Sequence, residues 1–86
     1  MEDQRTVPFA GTPLKAGCAL VAQDWENTAN VWVVDAVGEN GTVMCHCPFD
    51  TTRADTFIFT PSDKEWIGPD VQSVLSYLKL MGIRAR

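Results

Sequence analysis

Basic residues are few in this chain, with seven Lys and Arg against eleven Asp and Glu for a formal net charge of −4, and they are scattered along it. A protein that tracks the phosphate backbone usually carries a basic patch, so direct nucleic-acid binding is not expected. No apolar run reaches the length of a membrane span, and the opening Met1-Glu2-Asp3-Gln4-Arg5 is acidic and polar with no apolar signal core behind it. The expectation is a soluble cytoplasmic protein with no membrane partner. Cysteines number three, Cys18, Cys45 and Cys47, which cannot pair completely. That excludes a disulfide scaffold and fits a reducing compartment. Phosphate loops, dinucleotide fingerprints and paired-carboxylate motifs are missing, as are repeats and low-complexity tracts.

The 86 residues suffice for one modest core, and 45% hydrophobic with 21% charged is the balance of a folded chain. One domain over 1–86 is expected, with an irregular N-terminal arm over 1–13, a β core over 14–67 and a C-terminal helix over 69–81. The arm carries Pro8, Gly11 and Pro13, and its apolar anchors are Val7 and Phe9.

Val31 to Cys47, VWVVDAVGENGTVMCHC, is the most legible stretch and reads as a hairpin, because Asn40 and Gly41 tolerate the positive φ that tight turns demand. Two registers compete, and one residue of slip exchanges the faces. With Asn40-Gly41 as a type I′ loop, Asp35 faces His46, and Trp32, Val34, Cys45 and Cys47 share the other face. With Glu39-Asn40 in a type I turn and Gly41 as a bulge, Gly38 faces Thr42, and Val31, Val33, Val37, Val43, Cys45 and Cys47 share a face with Asp35. The second gathers the valines and is preferred.

Around the hairpin, Leu14 to Ala22 reads as a strand and Gln23 to Asn30 as a polar loop. Pro48 ends the hairpin, Phe49 to Asp55 reads as a second polar loop, and Thr56 to Thr60 as a strand with Phe57 and Phe59 on one face. Pro61 to Trp66 is turn-like. Pro69 is placed at the first position of a helix with Asp70 at the positive end of its dipole and Gly82 as its stop. Val71, Val74, Leu75, Leu78 and Met81 form its apolar stripe. Tyr77 at the border and Leu80 among the polar residues leave room for a second copy of the chain, a homodimer contact.

The order of Leu14-x-x-Gly17, an apolar strand, a polar loop, the VWVV strand, a Gly-containing turn, a strand with Cys45 and an aromatic strand resembles SH3-like small β-barrels of the KOW and Tudor type over Leu14 to Ile67. The fold class expected is therefore mainly β (α+β), a small antiparallel sheet or barrel of about four to five strands with one C-terminal α-helix. The resemblance implies a binding module whose loops grip ligands with aromatic and acidic residues. Here those loops hold Asp24, Trp25, Glu26, Phe49, Asp50 and Asp55, with Trp66 beyond them.

Cys45-His46-Cys47 invites a metal or a Cys–His catalytic reading, but alternate residues of a strand point oppositely, so His46 is sent away from both sulfurs. No catalytic residue, metal or cofactor is assigned. The function expected is non-catalytic protein binding, most concretely a small acidic inhibitor or antagonist of the phage-encoded or immunity type that covers a basic functional surface on a nucleic-acid-handling protein. The alternative is an SH3-like accessory module that binds nucleic acid or serves in a larger assembly.

Overall fold

Gly38 donates its backbone N–H to the carbonyl of Thr42 at 2.7 Å, with Asn40 and Gly41 at φ 61° and 77°, and so closes the central hairpin of the computed structural model. The structure describes residues 7–24 and 27–86. Strand β2 (Thr28–Val37) meets β3 (Thr42–Cys47) in the expected bulge register next to the turn, with Val37 opposite Val43 and Ala36 opposite Met44. The register then shifts at Asp35, and Val34 lies opposite Cys45 and Val33 opposite His46. This second bulge corrects the expected faces. Val34 and Trp32 join the cysteines, as in the type I′ alternative, while Asp35 swings to the side of His46. An extra residue in one strand restores the apolar alternation without moving the turn.

Strand β1 (Ala19–Gln23) pairs antiparallel with β2 on one side and with β5 (Glu65–Gly68) on the other, and β3 pairs with β4 (Asp50–Ile58). The sheet order is β4-β3-β2-β1-β5, with β4 and β5 as its edges. Strand β6 (Arg84–Ala85) is added parallel to the start of β2. The molecule is thus mainly antiparallel sheet with one helix, α1 (Val71–Leu80).

Several expected boundaries are corrected. The first polar loop is shorter than Gln23–Asn30, because Asn27 takes a positive φ of 62° and turns the chain directly into β2 at Thr28. The second polar loop, Phe49 to Asp55, is mostly strand: Pro48-Phe49 alone makes the turn, and Asp50, Thr52 and Asp55 lie on exposed edge strand β4. Polar residues suit such an edge because neither of their faces needs burial there. Trp66 lies in β5 and not in a turn. Asp70 is the N-cap of α1, accepting the Ser73 N–H at 2.8 Å, and Pro69 sits before it. The helix ends in a Schellman motif, Ile83 N–H to Leu78 and Gly82 N–H to Lys79, with Gly82 at φ 74°.

Apolar side chains fill both sides of the sheet. On the helix side Val74 and Leu78 bury against Ala19, Val21, Ala29, Val31 and Trp66, with Val71 and Leu75 packed beside them. Met81, expected in the stripe, is 55% exposed, because the helix has already ended. Gly68 is where the helix comes closest: a Cβ there would sit 2.3 Å from Val74 Cγ2 and 3.3 Å from the Phe9 ring. On the far side Cys18, Leu20, Val34, Val43 and Cys45 are buried under Leu14, Trp32, Phe57, Phe59 and Ile67.

Candidate functional site: an apolar cleft beside strand β5

The arm crosses the sheet edge. Phe9 packs on the helix side, its ring 6.1 Å from that of Trp66 and 5.8 Å from that of Tyr77, while Leu14 joins the far-side cluster. A positive φ at Phe9 (56°) and Gly11 (91°) makes the bend, and Thr12 ties it by donating its N–H and Oγ1–H to the Phe9 carbonyl. Cys18 Sγ reaches the Pro13 carbonyl at 3.2 Å and holds the end of the arm to the core.

Between this arm, the connection from β4 to β5 and the β2–β3 turn at Gly41 lies a cleft of about 640 Å³. Phe9, Leu14, Phe59, Pro61 and Ile67 give it apolar walls, and Asp63 and Glu65 supply carboxylates. The connection is pinned at both ends, by Phe59 N–H to the Gly41 carbonyl at 3.0 Å and by Gln23 N–H to the Lys64 carbonyl at 2.8 Å. Ser62 shapes its corner: its Oγ accepts from the N–H groups of Lys64 and Glu65, and its own N–H donates to the Glu65 carbonyl. The cleft is of the size and apolar character of recognition sites.

Among the described residues singled out from the sequence, Trp66 alone lines the cleft. Asp24 is half-buried and accepts from the Thr28 hydroxyl and the Arg86 guanidinium. Trp25 and Glu26 lie outside the described residues. Phe49 is 53% exposed at the β3–β4 turn, at the end of the sheet where Asp24 also lies. Asp50 is exposed and accepts the Thr52 hydroxyl at 2.6 Å and the Thr52 N–H at 3.1 Å, which hold its carboxyl below the usual carboxylate range. Asp55 is exposed on β4 and accepts the Thr56 N–H at 2.8 Å. Trp66 lines the cleft but is 1% exposed, with its indole N–H given to Gln23, so its ring is a wall of the core and no free anchor.

Sequence reasoning assigned no contact role to Phe9, Leu14, Phe59, Asp63 or Glu65. For Phe9 the signal was an arm with apolar residues spaced among Pro and Gly, which implies docking on the core without saying where; Phe59, Asp63 and Glu65 had no such mark.

The Cys-His-Cys stretch divides between the two sides of β3. His46 Nδ1 meets both carboxylate oxygens of Asp35 at 2.9 Å on the exposed side. Cys45 and Cys47 are buried on the other, where Arg53 stacks on Trp32 at 5.5 Å and reaches Cys47 Sγ at 3.9 Å. Burial, and then the charges of Asp55 and Asp35, push the Cys45 thiol up to about 11. A thiol so protonated is a core group and a poor nucleophile. No described helix is long and apolar enough to cross a membrane. In comparisons with protein families, curated proteins and solved structures, none matches the chain.

Proposed function

We propose that this domain is a non-catalytic protein-binding module that receives a segment of its partner in the cleft beside β5. The observation that carries this reading is the cleft itself, apolar in its walls and acidic along one side, held open by an arm and a connection that are each pinned to the sheet. Apolar walls provide the buried area that affinity needs, and carboxylates favour a basic partner and speed its approach. The net charge of −4 acts in the same direction. A basic functional surface, such as the nucleic-acid channel of another protein, is the kind of partner this small acidic domain would cover as an inhibitor.

The chain course supports an SH3-like small barrel for the scaffold. Strands β2, β3 and β4 form a meander, and β5 then returns to β1, so consecutive strands are the two edges of one sheet. Joining those edges through residues 59–64 favours a sheet curled around the far-side cluster.

Ala10 is exposed at the cleft mouth and tests the reading. Ala10→Trp should block capture of the native partner while leaving the melting temperature unchanged. Gln72→Trp on the exposed helix face should do neither. If Ala10→Trp captured the partner as wild type does, the cleft would not be the site.

A further inference from the structure

Strand β5 is a sheet edge, and the arm that passes it does not pair with it: among the described residues no backbone hydrogen bond joins residues 7–17 to β5. The direction of each β5 peptide group follows from the ladder. Lys64 gives its carbonyl to Gln23 N–H in the register that continues as Trp66 opposite Val21 and Gly68 opposite Ala19. Backbone groups alternate along a strand, so those of Lys64, Trp66 and Gly68 face β1, and those of Glu65 and Ile67 face outward. Glu65 is satisfied at both groups by Ser62. Ile67 is the one β5 residue left with an outward N–H and C=O and no partner in the described structure, and it lines the cleft.

Resting on the proposed module, we infer that the partner enters as an extended segment that adds to this edge and exchanges both backbone hydrogen bonds with Ile67. A strand added here satisfies a donor and an acceptor that have no partner among the described residues. Side chains on one face of the segment meet Leu14 and Phe59 on the far side, beside Ile67, and those on its other face meet Phe9 on the helix side. Basic residues in the segment lie near Glu65, whose negative charge selects for them. Pro69 has no N–H to offer and Glu65 is already bonded, so the match is short: one hydrogen-bonded pair at Ile67, with side chains supplying the rest.

The test uses the full chain and the acetylated, amidated peptide Lys-Val-Lys-Phe-Lys-Val at millimolar concentration, followed by amide NMR. Binding should perturb the arm and residues 59–67, move the Ile67 amide downfield and slow its hydrogen exchange. Single N-methylation along the peptide should give alternating results. Sites whose N–H faces Ile67 should weaken binding by about tenfold or more, and their neighbours should have little effect. Glu65→Gln should weaken binding by about threefold and flatten its salt dependence. If the cleft amides respond but N-methylation acts at no position, the segment binds through side chains alone; the strand addition is then wrong while the module reading stands. If shifts appear only at the helix face or not at all, the cleft reading fails with it.

Discussion

Trp66 donates its indole N–H to Gln23 Oε1 at 2.9 Å across the β1–β5 pair, so the largest buried side chain is fixed by one polar contact at the rim of the core. Its ring also meets Phe9 at 6.1 Å and Tyr77 edge-on at 5.6 Å. The indole thus touches the arm and the helix from its place on β5, beside the direct contact of Phe9 with Tyr77.

Trp66→Ala should lower stability by about 3–5 kcal/mol, the cost of deleting a large aromatic from a packed core. Urea unfolding measures it. A loss below about 1 kcal/mol would mean that the arm and helix do not rely on this ring.

Gly68→Ala should destabilise by about 1–3 kcal/mol, because the added methyl meets Val74 Cγ2, a side chain itself fully buried in the helix-side core. The double variant Gly68→Ala, Val74→Ala should recover part of that loss relative to the sum of its single variants. Strict additivity in a thermal-melt cycle would contradict the close approach.

On the helix stripe, Val74→Asp or Leu78→Asp should unfold the domain, since each residue is at most 1% exposed and a carboxylate there has no partner. Leu80→Asp, at a residue 82% exposed, should melt within about 0.5 kcal/mol of wild type. Circular dichroism separates the outcomes.

Cys45 links stability to pH. Its folded pKa is raised from 9.0 to about 11, so the folded state holds this proton more tightly than the unfolded chain does. The resulting stabilisation is complete below pH 9 and declines as pH rises from about 9 to about 11. Cys45→Ala should remove that part of the decline. Iodoacetamide at pH 8 should leave Cys45 unlabelled in the native protein and label it after unfolding.

Patterned elements were readable in the sequence, and context-dependent ones were not. The stripe of Val71, Val74, Leu75 and Leu78 announced α1, because burial on one face imposes its period on the sequence. The turn at Asn40-Gly41 announced the hairpin for a comparable local reason, since few residues accept its φ. The bulge at Asp35 has no such local mark; it exists because Val34 must meet Cys45 while Val37 meets Val43. The end of β4 was read from the alternation at Thr56 to Thr60, but its start, Asp50 to Asp55, was hidden because an exposed edge needs no apolar alternation, and β5 was hidden because four residues show no period. The cleft was the least legible feature: its walls come from the arm, the turn and the β4–β5 connection, which only the tertiary fold brings together.

The two residues of β6 bear on the order in which the chain can fold. Val31 N–H is met by the Arg86 carbonyl, Arg86 N–H by Ala29, and Arg84 N–H by Asn27. The first half of β2 therefore waits for partners that emerge from the ribosome long after β2 itself. A hairpin of β2 and β3 can form during synthesis from neighbouring residues, but the open flank at Ala29 to Val31 is sealed only once residues 84–86 have been made and can dock. Until then, an apolar strand with unmet amides stands exposed, the condition in which a nascent chain is most prone to pair with the wrong neighbour.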